Sequence, residues 1–171
     1  MWERRPGIRG DLKDIATHGN RVVVTGVFLD EFTFRGQRFS TVNINAFVIA
    51  YTRSGEERWA RALGSDAPCI AMDQRDGVIL TGHFAVGDDL GLGPQTAAGI
   101  FVSRLDRIDG EVQWVRTFNG TSAFIGSSSD VAVTKDGKRI TVVGLFAAPL
   151  DFGAGPVSPN RADPFVIQLG L

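Results

Sequence analysis

The stretch Val22-Val23-Val24-Thr25-Gly26-Val27-Phe28 decides the fold, because it occurs three times. It returns as Val78-Ile79-Leu80-Thr81-Gly82-His83-Phe84 and again as Ile140-Thr141-Val142-Val143-Gly144-Leu145-Phe146. The glycines are 56 and 62 residues apart, a spacing that points to a repeat architecture. A second segment keeps step with the first: Ala46-Phe47-Val48-Ile49, Ile100-Phe101-Val102-Ser103 and Pro164-Phe165-Val166-Ile167. Each phenylalanine follows its glycine by 19 to 21 residues. Short length and β-branched content mark both segments as strands.

Two further segments complete each unit. Asp14-Ile15-Ala16, Cys69-Ile70-Ala71 and Asp130-Val131-Ala132 precede the glycine strand, separated from it by Gly19-Asn20, Asp76-Gly77 and Asp136-Gly137. Asp-Gly reaches the positive-φ geometry of a tight hairpin at little cost. All three tryptophans fall in the fourth segment, and Trp2, Trp59 and Trp114 are each followed two residues later by Arg4, Arg61 and Arg116. That spacing places both side chains on one face of a strand. Ser54-Gly55 and Asp109-Gly110 supply the turns before the second and third tryptophans. The longer connections Phe32–Gly36, Leu90–Pro94 and Leu150–Pro156 carry apolar residues at i and i+2 before a glycine, the mark of an extended segment tucked at the edge of the unit. No segment carries a helical period.

The expectation is an all-β protein, a β-propeller-like array of three four-stranded antiparallel blades. The blades occupy approximate units 2–51, 59–105 and 114–169 of one repeat domain, 1–171. The chain opens on a tryptophan segment and stops just after a Phe-Val strand, so the Trp2 segment is a candidate to complete the third unit. Three blades are fewer than the four to eight of closed propellers. This implies a partial propeller, or half of a six-bladed homodimer.

Composition narrows the function. Twenty-one glycines in 171 residues are explained by repeated turns. A net charge of −1 leaves no electrostatic footprint for nucleic acid or an anionic membrane surface. Hydrophobic content of 43% with mean hydropathy +0.03 suits a packed domain and excludes disorder. Cys69 is the single cysteine, so neither an intrachain disulfide nor a cysteine metal site is expected. No apolar run is long enough to insert in a membrane. The N-terminus is basic without a following apolar stretch and does not read as a signal peptide. That leaves a cytoplasmic protein, or a chain without its natural export signal.

Candidate chemistry is sparse. His18 falls in a turn, and His83 takes the strand position of Val27 and Leu145, so neither reads as a catalytic base. Their separation offers no metal-ligand spacing. The carboxylates of Asp73-Gln74-Arg75-Asp76-Gly77 and Gly87-Asp88-Asp89 have the oxygen chemistry of Ca²⁺ ligands but lack a calcium loop's spacing, and they read as turn residues. No nucleophile elbow, P-loop or dinucleotide fingerprint occurs in a strand–turn–helix context. No catalytic residue, cofactor or metal is expected. The recurring tryptophans read as packing residues between sheets, with Trp2 the exception, since its partner sheet is not evident. The candidate ligand or partner surface is therefore Trp2, Phe124 in the long 119–129 loop, Asp88 and Asp89.

Several runs carry a resemblance: Val24-Thr25-Gly26-Val27-Phe28, Leu150-Asp151-Phe152-Gly153-Ala154-Gly155-Pro156, Phe101-Val102-Ser103-Arg104-Leu105-Asp106 and Gly110-Glu111-Val112-Gln113-Trp114-Val115-Arg116-Thr117-Phe118. Together they resemble the bacterial seven-bladed β-propeller (SBBP) repeats abundant in myxobacterial surface proteins. Kelch and WD40 signatures are absent. The resemblance implies blade architecture and a cell-surface or extracellular location, and is nearly silent on activity. The expected role is a non-catalytic binding or scaffold surface for a protein or glycan ligand. The alternatives are a lectin-like carbohydrate-binding propeller, or a fragment of a propeller hydrolase or lyase. An enzyme would need acidic or histidine clusters converging from several blades.

Overall fold

A computed structural model describes residues 1–64, 66–75, 77–120 and 126–170. Among them there is no helix, and 61% of them lie in strands. The strands are β1 (Gly10–His18), β2 (Arg21–Phe28), β3 (Glu31–Phe34), β4 (Gln37–Ser40), β5 (Asn45–Thr52), β6 (Glu57–Leu63), β7 (Asp66–Met72) and β8 (Val78–Phe84). They continue as β9 (Ala98–Leu105), β10 (Val112–Gly120), β11 (Gly126–Val133), β12 (Arg139–Phe146), β13 (Leu150–Asp151), β14 (Pro156–Val157) and β15 (Asp163–Gly170).

They form consecutive antiparallel sheets. The first is β1-β2-β5-β6; the second is β7-β8-β9-β10, extended past β10 by the short β13-β14 pair; the third is β11-β12-β15. The β3–β4 ribbon lies outside them. No closed barrel or ring forms among the described residues.

One register repeats in all three sheets and explains the glycine-to-phenylalanine spacing. Gly26 pairs with Phe47, Gly82 with Phe101 and Gly144 with Phe165. A Cβ on Gly26 would stand 2.9 Å from the Phe47 ring and 2.0 Å from the Asp11 carbonyl oxygen. On Gly144 the corresponding distances are 2.6 Å to the Phe165 ring and 2.3 Å to the Ser127 oxygen. The ring closes one side, and the bulged first strand of the sheet closes the other, with bulges at Leu12/Asp14 and Ser128/Asp130. Only glycine fits between them. One residue earlier, the buried Thr25 and Thr81 hydroxyls donate to the carbonyls of Phe47 and Phe101 at 2.9 and 2.7 Å.

The core lies between sheets. Val23, Val48, Trp59, Val78, Leu80, Leu90, Phe101 and Leu105 fill the space between the first and second. Ile79, Ile100, Val102, Ile140, Val142, Leu150 and Phe165 fill that between the second and third. Each fully buried side chain of this size contributes about 1.5–3 kcal/mol. On the far face of the first sheet, Phe32, Phe34 and Phe39 of the ribbon cover Phe28, Phe47, Ile49 and Tyr51.

Three observations differ from the sequence expectation. The sheets run over 10–63, 66–120 and 126–170, so each tryptophan strand closes the sheet formed by the segments before it. The third sheet has three strands among the described residues, which leaves β15 as an edge. The Trp2 segment does not complete that third sheet; residues 1–9 lie in no strand and pack on the first.

Candidate binding surfaces

The tryptophan segment of β6 holds the first and second sheets together through a turn. Trp59, 6% exposed, projects from β6 onto the turn between β9 and β10, and its indole Nε1 donates to the Arg107 carbonyl at 3.1 Å. Arg61 Nε donates to the Gly110 carbonyl at 3.1 Å, and its guanidinium reaches Glu111. Gly110 has φ 76°, and a Cβ there would sit 2.5 Å from the Trp59 ring. Turn chemistry and ring packing therefore select the same residue.

The N-terminus repeats this arrangement. Trp2 Nε1 donates to Arg53 O at 2.8 Å, Arg4 Nε donates to Gly55 O at 2.8 Å, and a Cβ on Gly55 (φ 84°) would stand 2.6 Å from the Trp2 ring. Trp2 also tilts against Tyr51 with centroids 5.8 Å apart. Trp2 is thus engaged by the protein's own turn, although it remains 39% exposed. Trp114 and Arg116 carry the same motif on β10, with the guanidinium 5.9 Å from the ring centroid. Among the described residues no turn lies on them.

Asp88 and Asp89 shape the connection after β8. Asp88 Oδ2 accepts the Ala85 N–H at 2.7 Å, and Asp89 Oδ1 accepts those of Gly91 and Gly93 at 2.7 and 2.9 Å. Asp151 serves Gly153 and Gly155 in the same way. These are Asx-turn carboxylates. With Thr41, Asn43 and Asn45 they line a polar depression of about 420 Å³. Asn45 begins β5, whereas Trp2 packs beyond its other end, a separation of roughly 23 Å along the strand. Trp2 and the Asp88–Asp89 pair therefore belong to opposite rims. Phe124 lies outside the described residues.

A larger polar cleft, of about 620 Å³, opens between the second and third sheets and was not evident from the sequence. Its floor is the Asp73–Arg104 ion pair, 2.8 Å long, with side chains 6% and 18% exposed. Gln113, Trp114, Asp136 and Lys138 form the walls. Burial raises the Asp73 pKa. The Arg104 hydrogen bond and the N–H groups of Gly77 and Arg75, at 2.8 and 2.7 Å, more than offset this and hold the carboxyl below its ordinary value. The signal available in the sequence was Arg104, which stands where the first unit has Ala50. Asp73 is fully engaged by the turn and by Arg104, and is no free base.

The remaining reactive groups lie on separate elements. His18 ends β1, and His83 is half-buried in β8 of the next sheet. Cys69 Sγ lies 3.8 Å from the Ser128 carbonyl, and burial, with the Asp14 and Asp130 carboxylates nearby, pushes its thiol up to about 11. Among the described residues no three His, Cys, Asp or Glu side chains are grouped to hold a metal ion, and no helix is long and apolar enough to cross a membrane. No protein-family model and no curated protein matches this chain.

Proposed function

We propose that the chain is a run of three β-propeller-type blades serving as a non-catalytic binding or scaffold surface of a bacterial cell-surface protein, in keeping with its resemblance to SBBP repeats. The observation that carries this reading is the repeated Trp-x-Arg clamp. The Trp59–Arg61 clamp fixes the first sheet to the β9–β10 turn of the second, the Trp2–Arg4 clamp fixes the N-terminal segment to turn 53–55, and the opposite rim is left to loops. A rigid stack with variable rims suits recognition. The carboxylates on these rims are committed to turn geometry, which favours binding over proton transfer. A glycan ligand is the second reading, favoured by the half-buried Trp114 ring on the wall of a cleft rich in hydrogen-bonding groups.

The test is a glycan array probed with the labelled protein, followed by calorimetric titration of hits against the parent, Asn43→Ala and Gln113→Ala. Saturable binding lost in one variant assigns the surface. Product release from a bound glycan, or from ester or phosphate substrates, would refute the non-catalytic reading.

A further inference from the structure

We infer that the acidic depression between the β4–β5 and β8–β9 connections docks an extended peptide segment of a partner protein. An arginine of that segment sits on Asp88 and Asp89, and its aliphatic neighbours lie on the loops to either side. This docking builds on the binding role proposed above and gives it a rim and a partner.

The depression carries charge without a counter-charge. Thr41, Asn43 and Asn45 line one wall, Asp88 and Asp89 the other, and neither lysine nor arginine is among the lining residues. Each carboxylate commits one oxygen to its own loop, Asp88 Oδ2 to the Ala85 N–H and Asp89 Oδ1 to those of Gly91 and Gly93. Among the described residues, the other oxygen of each aspartate and the side-chain amides of Asn43 and Asn45 make no hydrogen bond, and neither aspartate is in an ion pair. The acids of the neighbouring β2–β3 turn are different: Asp30 pairs with Arg9, and Glu31 with Arg38.

The same two connections hold up four aliphatic side chains, Val42, Ile44, Val86 and Leu92, each between 52% and 99% exposed. Scattered singly, such residues are ordinary; gathered around one acidic depression they mark a contact surface. The loops beneath them are fixed in place. Leu90, fully buried, plugs the core between the first and second sheets. The Gly87 N–H donates to the Gln95 carbonyl, the Gln95 N–H to that of Asp88 and the Gly64 N–H to that of Asp89, all at 2.8 Å. Across the depression, the Thr41 N–H donates to the Asp30 carbonyl at 2.8 Å, and the Asn43 N–H to Thr41 Oγ1 at 3.1 Å. A surface built in advance loses little freedom on binding.

The occupant must bring a cation, because covering two carboxylates with a neutral group leaves their charge uncompensated. A guanidinium suits the site better than an ammonium, since its planar fork of donors serves several acceptor oxygens at once. In an extended segment, side chains two residues apart share a face about 7 Å from one another. Aliphatic residues on either side of the arginine therefore reach Val42 and Ile44 on one wall and Val86 and Leu92 on the other. No aromatic ring lines the depression to stack on a sugar, which favours a peptide over a glycan here.

The test is an array of short peptides with arginine, lysine, glutamine or glutamate at the centre and leucine or serine two residues to either side. It is probed with the labelled protein, and hits are titrated by calorimetry. The leucine-flanked arginine peptide should bind, the lysine peptide several-fold more weakly, and the glutamate and serine-flanked peptides not detectably. Asp88→Asn/Asp89→Asn keeps the acceptors of both turns, and should weaken binding at least about tenfold and make it insensitive to salt. Val86→Ser/Leu92→Ser should weaken it by about as much, whereas Val157→Ser, exposed on β14, should bind like the parent. All three variants should keep the parent's far-ultraviolet dichroism. Absence of any peptide hit, glutamate peptides binding as well as arginine peptides, or binding indifferent to both double variants would each overturn the docking assignment. Where a glycan nevertheless binds, or the peptides bind elsewhere on the surface, the general binding role survives; silence of peptides and glycans alike would count against that role too.

Discussion

Replacing Trp59 by alanine tests the inter-sheet clamp most directly. The side chain is 6% exposed and sits among Val48, Ala50, Leu63 and Leu105 of the first inter-sheet core. A large aromatic removed from such a site costs about 3–5 kcal/mol, the spread reflecting how far the cavity collapses. Loss of the 3.1 Å indole bond leaves the Arg107 carbonyl to find water, a contribution of about 1 kcal/mol within that range. Trp2 makes the same contacts at 39% exposure, so its replacement should cost only about 2 kcal/mol. Urea denaturation followed by far-ultraviolet dichroism is the assay, because it does not depend on the removed fluorophore. An unchanged denaturant slope would assign the loss to the folded state. If Trp59→Ala does not fold, Trp59→Phe, which keeps a ring but no donor, should lose about 1–2 kcal/mol. A Trp59→Ala cost below about 1 kcal/mol, or no larger than that of Trp2→Ala, would refute the clamp as a packing device.

Asp73→Asn should cost about 3 kcal/mol at pH 7 by leaving Arg104 without its carboxylate in a mostly buried site. Because the folded-state pKa of Asp73 is depressed, its contribution is present above the ordinary carboxylate range and is lost as pH falls through the lower folded value. The gap between parent and variant should therefore narrow in acid, and a gap independent of pH would contradict the assignment. Cys69, with its thiol pushed up to about 11, should alkylate at pH 8 roughly 100-fold more slowly in the folded protein than in urea; equal rates would show the thiol to be accessible and unshifted. Ser103 is fully buried, and its hydroxyl finds no partner among the described residues. Ser103→Ala should leave stability unchanged or raise it by up to about 1 kcal/mol, and a clear loss in thermal melting would reveal a hidden partner.

The all-β character and the repeating strands were legible in the sequence because both are encoded locally. Thr25-Gly26, Thr81-Gly82 and Val143-Gly144 sit in short β-branched runs, and Gly55 and Gly110 have the positive φ that their turns demand. The constancy of the glycine-to-phenylalanine spacing was equally visible, and its cause is the ring lying over the missing Cβ. The candidate surface was less legible. Asp88 and Asp89 could be placed in a connection, but their engagement with the amides of Ala85, Gly91 and Gly93 depends on the loop's path.

By itself, the sequence determined the strands, the turns and the packing nature of Trp59, since periodicity and turn chemistry act over a few residues. Only the tertiary structure decided which sheet each tryptophan strand joins. Four residues separate β6 from β5 and two separate it from β7 in sequence, and nothing local distinguishes the two frames. The same holds for the Asp73–Arg104 cleft, whose partners lie 31 residues apart, and for the open edge of β15. Strand partnership is a long-range property, set by which faces bury one another.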